Sequence, residues 1–155
     1  MFKIWPKWGK FARLGPMNIQ EKIQKITKRF GRITDWEGKY KEIITLGKAL
    51  PELKEELKLD KFKVKGCQSQ VWLIPEFKEG KIFFVADSDS VLVKGIIGLL
   101  VEVYSGESPS DILATKPEFL TTIGLMENLT MNRSNGLASM IKQIQMYAIA
   151  FKSLA

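Results

Sequence analysis

The order of hydrophobic and polar positions along the chain predicts helices at both ends and short strands between them. From Asn18, hydrophobic residues recur at helical spacing until Gly31, and asparagine is a residue type that caps helix N-termini. A second helix is predicted to begin at the capping-box pair Thr34 and Glu37 and to end before Pro51. The first third of the chain is therefore expected to form two amphipathic helices.

Near residue 61 the hydrophobic period changes from that of a helix to that of a strand. Lysines alternate with Phe62 and Val64 over residues 61–65, which predicts a first half-buried strand. Residues 71–74 predict a second strand that Pro75 ends, and residues 81–85 predict a third. Because the links between them are short, the three strands are expected to pair antiparallel.

After the strands the pattern becomes helical again. Residues 89–105 are hydrophobic on nearly every face, which predicts a buried central helix capped by Ser88 or Asp87. Gly95 and Gly98 either allow a second backbone to approach this helix closely or are merely tolerated there. Further helices are predicted after Ser108, near residues 117–125, and from about residues 133–137 to 151. The predicted fold class is α+β, with a small three-stranded antiparallel sheet packed against helices.

Composition agrees with a soluble globular domain. The 155 residues are 45% hydrophobic and 26% charged, and the longest apolar run, residues 91–104, is too short to span a bilayer. The net charge of +7 invites a nucleic-acid interpretation, but four of these charges lie in residues 1–16, and no arginine-loaded recognition helix follows. We therefore expect no nucleic-acid partner and no transmembrane segment.

Residues 1–16 differ from the rest because aromatic and basic residues are mixed there with proline and glycine. Such a composition is typical of a flexible extension, and it also suits an arm that touches a membrane surface or a partner. We expect a flexible basic-aromatic extension over residues 1–16 and one domain over residues 17–155.

The chain has one cysteine, Cys67, and no histidine. One thiol cannot form an internal disulfide, a four-ligand zinc site or an iron–sulfur cluster, and a cysteine–histidine protease needs an imidazole. The remaining alternatives are a single nucleophilic sulfur and a buried structural cysteine. Cys67 lies in a predicted tight bend, where Gly66 permits a sharp turn and Gln68 and Ser69 offer hydrogen-bond donors. This position favours an exposed, reactive thiol.

The run Gly66-Cys67-Gln68-Ser69-Gln70-Val71-Trp72 closely resembles the signature of the SufE/CsdE family of sulfur-acceptor proteins. The resemblance extends from about Asn18 to Phe151. Further matching segments follow the order of the family: Trp36, Lys39-Tyr40, Leu50-Pro51-Glu52-Leu53, Asp87-Ser88-Asp89, Val93-Lys94-Gly95 and Arg133-Ser134-Asn135-Gly136-Leu137. The resemblance implies the family's fold, which is also similar to that of the IscU cluster scaffold.

The same resemblance implies a role in iron–sulfur cluster assembly. Cys67 would accept the outer sulfur of a persulfide on a pyridoxal-phosphate-dependent cysteine desulfurase (SufS/CsdA-like), stimulate that enzyme, and pass the sulfur to an iron–sulfur scaffold complex (SufBCD-like). The chain would be a carrier and activator rather than an enzyme with its own turnover. It would need no cofactor and hold no metal, since the pyridoxal phosphate belongs to the partner. A lone cysteine favours a cytoplasmic location, and a homodimer is left open.

Besides Cys67, the resemblance implies two charged site residues. Asp89 matches an acidic position that helps to hold the cysteine loop, although an acid there also suits a helix N-terminus. Arg133 matches an arginine near the cysteine, although a solvated arginine at a helix start is the plainer alternative. Two positions depart from the family pattern: Asn128 stands where relatives often have histidine, and Met131-Asn132 where many have proline or serine.

Two other functions remain as alternatives. A single-cysteine thiol peroxidase or transferase would need a site for peroxide or glutathione, and Val64 stands where a threonine would be expected three residues before Cys67. The third interpretation is a basic interaction module in which Cys67 is incidental.

Overall fold

The computed structural model describes residues 17–154 and has an α+β fold, as predicted. The predicted extension over residues 1–16 lies outside the described residues. Short 3₁₀ turns at Glu55–Leu57 and Asp60–Phe62 precede the strands. The helices and strands are α1 Ile19–Gly31, α2 Trp36–Lys48, β1 Val71–Lys78, β2 Lys81–Ser88, α3 Val91–Tyr104, α4 Pro109–Ala114, α5 Glu118–Thr122, α6 Leu125–Asn128 and α7 Met131–Lys152.

The prediction of a three-stranded sheet is wrong, because the described residues form a sheet of two strands. Residues 61–65 do not form a strand; they contain the end of a 3₁₀ turn and one isolated bridge, between Lys63 and Trp72. The N–H groups of Phe62 and Lys63 are bonded locally, to the carbonyls of Leu59 and Asp60. These turn hydrogen bonds use N–H groups that a strand would donate to a neighbouring strand. One hydrogen bond to β1 remains, from the Val64 N–H to the Val71 carbonyl at 2.8 Å.

The prediction that Pro75 ends the second strand is also wrong. β1 continues to Lys78 and pairs antiparallel with β2, with Pro75 opposite Phe84. Proline cannot donate to a ladder, but each strand of a two-stranded sheet has one open edge where a missing N–H is tolerated. The strands are joined by a tight turn in which Glu79 and Gly80 both have positive φ, 54° and 78°.

The two faces of the sheet are both covered, by different parts of the chain. Leu73, Phe84 and Ala86 point into the main core with the helices, whereas Ile74 and Val85 point to the other side. There they pack with residues of the segment before β1, in a second small core. The members of this second core are Leu53, Trp72, Ile74 and Val85, with Leu57 and Phe62 at its edge.

The prediction of a buried central helix is confirmed by α3, which is enclosed on nearly every face. The interpretation of Gly95 and Gly98 as points of close backbone approach is confirmed too. A Cβ on Gly95 would overlap the carbonyl oxygen of Ile43, and a Cβ on Gly98 would lie 2.9 Å from that of Leu46. Two glycines therefore allow α3 to cross α2 at backbone contact.

Three predicted helix starts need comment. Asn18 caps α1 as expected, because its side chain accepts a hydrogen bond from the Glu21 N–H at 2.9 Å. The Thr34–Glu37 capping box is wrong, since the N-cap of α2 is Asp35 and no side-chain bond is made there. The cap of α3 is Ser90 and neither Ser88 nor Asp87.

Asp87 has another role instead of capping. Its two oxygens each lie 3.3 Å from a lysine nitrogen, those of Lys58 and Lys94. The carboxylate therefore ties the segment before β1 to α3. Within residues 17–154, no helix combines the length and the hydropathy that crossing a membrane requires.

Candidate functional site

Cys67 lies in a loop of residues 65–70, which follows the bridge residue Lys63 and leads into β1. This cysteine loop bends at Gly66, whose φ of +95° is one that residues with a Cβ rarely adopt. The Val64–Val71 hydrogen bond closes the base of the loop. The predicted bend is confirmed, although a bridge and a strand flank it instead of two strands.

The sulfur of Cys67 is directed at helix α7. Its Sγ lies 3.5 Å from the carbonyl oxygen of Gly136, a distance at which a thiol can donate a hydrogen bond. The side chain is half-buried and packs at the margin of the main core. The thiol is thus neither fully sealed nor freely exposed, which corrects the expectation of an exposed residue.

Burial of the side chain raises the pKa of the Cys67 thiol. An apolar surrounding disfavours the thiolate, which is the form that attacks another sulfur. In the position described, burial therefore favours the protonated thiol of Cys67 over its thiolate. Higher reactivity requires that the sulfur leave this position or that a positive charge come near it.

Asp89 is hydrogen-bonded to Gln70, at the far end of the cysteine loop. Its Oδ1 accepts a hydrogen bond from the Gln70 N–H at 3.0 Å, and its Oδ2 one from the Gln70 side-chain amide at 3.4 Å. The Asp89 N–H in turn donates to the Gln70 carbonyl at 3.3 Å. Asp89 precedes the cap of α3, so these bonds tie the loop to the most buried helix of the fold.

Arg133 lies in the first turn of α7, and its side chain is exposed. It precedes Gly136 by three residues, so both lie on one side of the helix, about one turn apart. Among the described residues, no carboxylate forms an ion pair with its guanidinium. The structure thus places Arg133 in solvent, one turn of α7 before the glycine that contacts Cys67.

The other predicted loop residues differ in exposure. Gln68 is exposed and Ser69 is half-buried. At the positions that depart from the family pattern, the Asn128 side chain donates to the Gly124 carbonyl at 2.8 Å, and Met131 is 80% exposed. The Asn128 side chain is therefore hydrogen-bonded locally, to the residue just before its own short helix.

Two residues that contact the cysteine loop escaped the sequence analysis as site residues. Gly136 faces Cys67, and Ser139 faces Gly66 from the next turn of α7. Gly136 belongs to a segment that matches the family, and its one local signal is a glycine inside a helix. Within residues 17–154, no three Cys, Asp or Glu side chains come together in a way that could hold a metal ion.

Comparisons with known proteins show the family of the chain. Residues 24–148 match the family model SufE, described as an Fe-S metabolism associated domain. An uncharacterized SufE-like protein of Rhizobium etli is 44% identical, over 79% of this chain and 86% of its own. An uncharacterized SufE-like protein of Synechocystis is 38% identical, over 84% of this chain and 82% of its own.

A plant protein and a solved structure extend the comparison. SufE-like protein 1, chloroplastic/mitochondrial, of Arabidopsis thaliana is 40% identical over 84% of this chain, which covers 36% of that longer protein. The solution structure of a hypothetical protein from Thermus thermophilus matches with a TM-score of 0.70 and 24% identity, over 83% of this chain and 94% of that one. This last likeness concerns the fold alone. With the family match over most of its length and a lone cysteine on the loop that carries the signature, the chain belongs to the SufE family.

Proposed function

We propose that this chain is a sulfur carrier that accepts a sulfur atom on Cys67 from the persulfide of a cysteine desulfurase. The observation that supports the proposal most is the cysteine loop itself. It carries the one cysteine of the chain as a half-buried thiol that rests against α7, and Asp89 holds one end of the loop by hydrogen bonds. A short loop held at both ends can offer its sulfur to another active site without unfolding the domain.

The transfer is an exchange at sulfur with no net oxidation. The Cys67 thiol first gives its proton to solvent or to a base of the partner. The thiolate then attacks the outer sulfur of the donor persulfide, a new S–S bond forms on Cys67, and the old S–S bond of the donor breaks. The desulfurase cysteine leaves with the electron pair as a thiolate. The chain now carries the persulfide, and the enzyme is free to react with another cysteine.

The raised pKa of Cys67 fits a carrier that becomes reactive on its partner. A thiol that ionised readily in the free protein would react with oxidants before it met a donor. Release of the sulfur from α7 into a polar partner site would remove the desolvation that raises its pKa. Arg133 is exposed one turn from Gly136, and in this proposal it contacts the partner or stabilises the thiolate once the loop has moved.

The downstream step in this proposal is delivery to an iron–sulfur scaffold complex. Cluster assembly on the chain itself finds no support, because a single thiol supplies one ligand and the described residues hold no metal-binding group. The chain would then act as a partner of enzymes, without turnover of its own. We propose a cytoplasmic location because a single cysteine suits a reducing compartment. The plant relative differs, since its name assigns that protein to chloroplasts and mitochondria.

A desulfurase assay tests the proposal. A cysteine desulfurase is incubated with cysteine and reductant, and alanine production is measured with increasing amounts of the chain. We expect the wild type to stimulate the enzyme and Cys67→Ser to give no stimulation, since serine cannot accept sulfur. Equal stimulation by both proteins would refute the carrier function, provided that both melt cooperatively at similar temperatures.

The alternative of a thiol peroxidase is less well supported by the site. A peroxidatic cysteine works as a thiolate in the free enzyme, whereas burial raises the pKa of the Cys67 thiol. Rapid loss of the free thiol in dilute peroxide, with no stimulation of a desulfurase, would favour this alternative over sulfur transfer.

A further inference from the structure

The backbone conformation of helix α7 does not require a glycine at position 136. Gly136 lies inside α7, which runs from Met131 to Lys152, and it is buried. A glycine in a helix interior is less favourable than alanine. Its φ is not positive, and it ends no helix, so no backbone conformation at this position requires the absence of a Cβ.

The space in front of Gly136 is taken by Cys67. A Cβ built on Gly136 would have as its three nearest neighbours the Sγ, Cβ and Cα of Cys67, at 3.3, 3.8 and 3.9 Å. The sulfur distance is tighter than an ordinary contact between a Cβ and a neighbouring atom. A methyl group there would require the sulfur to move outward by a few tenths of an ångström.

A second contact of the same kind lies one turn further along α7. A Cβ on Gly66 would lie 2.5 Å from the Oγ of Ser139, which is itself held by a hydrogen bond to the Asn135 carbonyl at 3.1 Å. Consecutive loop residues, Gly66 and Cys67, thus meet consecutive turns of α7 at Ser139 and Gly136. Each contact is made possible by a glycine on one of the two sides.

We propose that Gly136 and Ser139 form a seat for the cysteine loop, and that Gly136 is the positioning residue that sets how far the Cys67 sulfur is withheld from solvent. The missing Cβ allows the sulfur to reach the Gly136 carbonyl and to lie against α7. Any larger residue at position 136 leaves the loop folded but moves the sulfur toward solvent. In this proposal the helix gives up local stability so that the unloaded thiol can be covered.

The biological role of the seat rests on the proposed carrier function, whereas its effect on the reactivity of the thiol does not. The seat concerns the free protein, where it lowers the fraction of time in which the thiol can react. A partner that lifts the loop off α7 must overcome the seat, so weakening it raises the competent fraction before binding. The reactivity of the thiol toward a small alkylating agent measures this fraction without any desulfurase.

The test is alkylation of Gly136→Ala by iodoacetamide over a series of pH values, followed by intact mass, with thermal melting of each protein. Gly31→Ala is the matched control, because a Cβ there meets no atom within 4 Å. Charged residues of the loop and of the elements that contact it are unchanged in both variants: Lys65 in the loop, Asp89, which bonds to Gln70, and Arg133 on α7. We expect Gly136→Ala to be alkylated about threefold faster near neutral pH, with its profile shifted to lower pH, since thiolate content changes tenfold per unit of pKa.

The melting measurement separates the seat from a packing role. We expect Gly136→Ala to melt no lower than the wild type, because alanine favours the helix. A rate and pH profile that coincide with those of the wild type and of Gly31→Ala would refute the proposal. A Gly136→Ala protein that melts far lower, or reacts like the denatured chain, would also refute it, because Gly136 would then be needed for packing. Neither result would touch sulfur acceptance, which the Cys67→Ser comparison tests on its own.

Discussion

Removing the carboxylate of Asp89 should loosen the cysteine loop and leave the rest of the fold intact. In Asp89→Ala, the Gln70 N–H loses its acceptor at 3.0 Å, and the Gln70 side-chain amide loses its partner at 3.4 Å. The backbone bond from the residue 89 N–H to the Gln70 carbonyl does not depend on the side chain and remains. The substitution therefore removes one good hydrogen bond and one long one.

The size of the effect follows from these two bonds. Because Asp89 is exposed, water replaces part of what is lost, and we expect a local cost of about 1 kcal/mol. A change of that size raises the population of the open loop about fivefold. Global stability should change by less than about 0.5 kcal/mol, since the lost bonds lie at the surface and no core residue is altered.

Amide hydrogen exchange measures the loop and the core in the same experiment. We expect the Gln70 amide to exchange about fivefold faster in Asp89→Ala, while amides in the middle of α3, such as that of Leu99, keep their rates. Asp89→Asn retains an oxygen acceptor and should give a smaller increase. Asp111→Ala, which removes an exposed carboxylate on α4, is the control and should leave Gln70 unchanged.

Two results would refute the reasoning. If Gln70 exchanges at the wild-type rate in Asp89→Ala, the carboxylate does not fasten the loop. If Gln70 and the core amides accelerate together, Asp89 supports the whole domain and has no particular role at the loop.

Three other predictions follow from the same structure. Gly95→Ala should lower the free energy of unfolding by about 3 kcal/mol in urea denaturation, because the new Cβ overlaps the Ile43 carbonyl, whereas Gly31→Ala should cost nothing measurable; equal stability of the two would contradict the close crossing of α2 and α3. Arg133→Ala should keep the melting temperature, since the side chain is exposed, and should reduce desulfurase stimulation more at low salt than at high salt, with Arg133→Lys in between; unchanged kinetics would remove Arg133 from the site. Burial raises the pKa of Cys67, so the folded protein keeps the thiol proton to higher pH than the unfolded chain does. The stability of the wild type should therefore fall as pH rises above about 8.5, and that of Cys67→Ser should fall less. Identical slopes of melting temperature against pH would contradict the burial of the thiol.

The sequence predicted most of the helices because capping residues and hydrophobic periodicity are signals that lie within each helix. Asn18 caps α1 through a hydrogen bond from a residue three positions away. The residues of α3 are apolar on nearly every face, which predicts a buried helix without knowledge of what packs around it. The wrong strand at residues 61–65 has the same origin. Alternation of lysines with Phe62 and Val64 is compatible with a strand, but turn bonds within the segment compete for the same N–H groups.

Contacts between distant segments account for what the sequence did not reveal about the site. The cysteine and its bend were visible in the run around Cys67, and the family resemblance pointed to Asp89 and Arg133. The seat on α7 was not visible, because Gly136 is 69 residues from Cys67 and only folding brings them together. A glycine inside a helix was the one local sign that something needed room there.

The central claim is that Cys67 accepts a sulfur atom from a donor persulfide, and the mass of the intact chain measures that event most directly. The protein is mixed with a catalytic amount of cysteine desulfurase and with cysteine, without reductant, and is weighed after desalting. The account predicts that the wild type gains the mass of one sulfur atom, that a reductant removes it, and that Cys67→Ser gains none. A wild-type chain that stays at its original mass while the desulfurase turns over, or a Cys67→Ser chain that gains sulfur equally, would contradict the account.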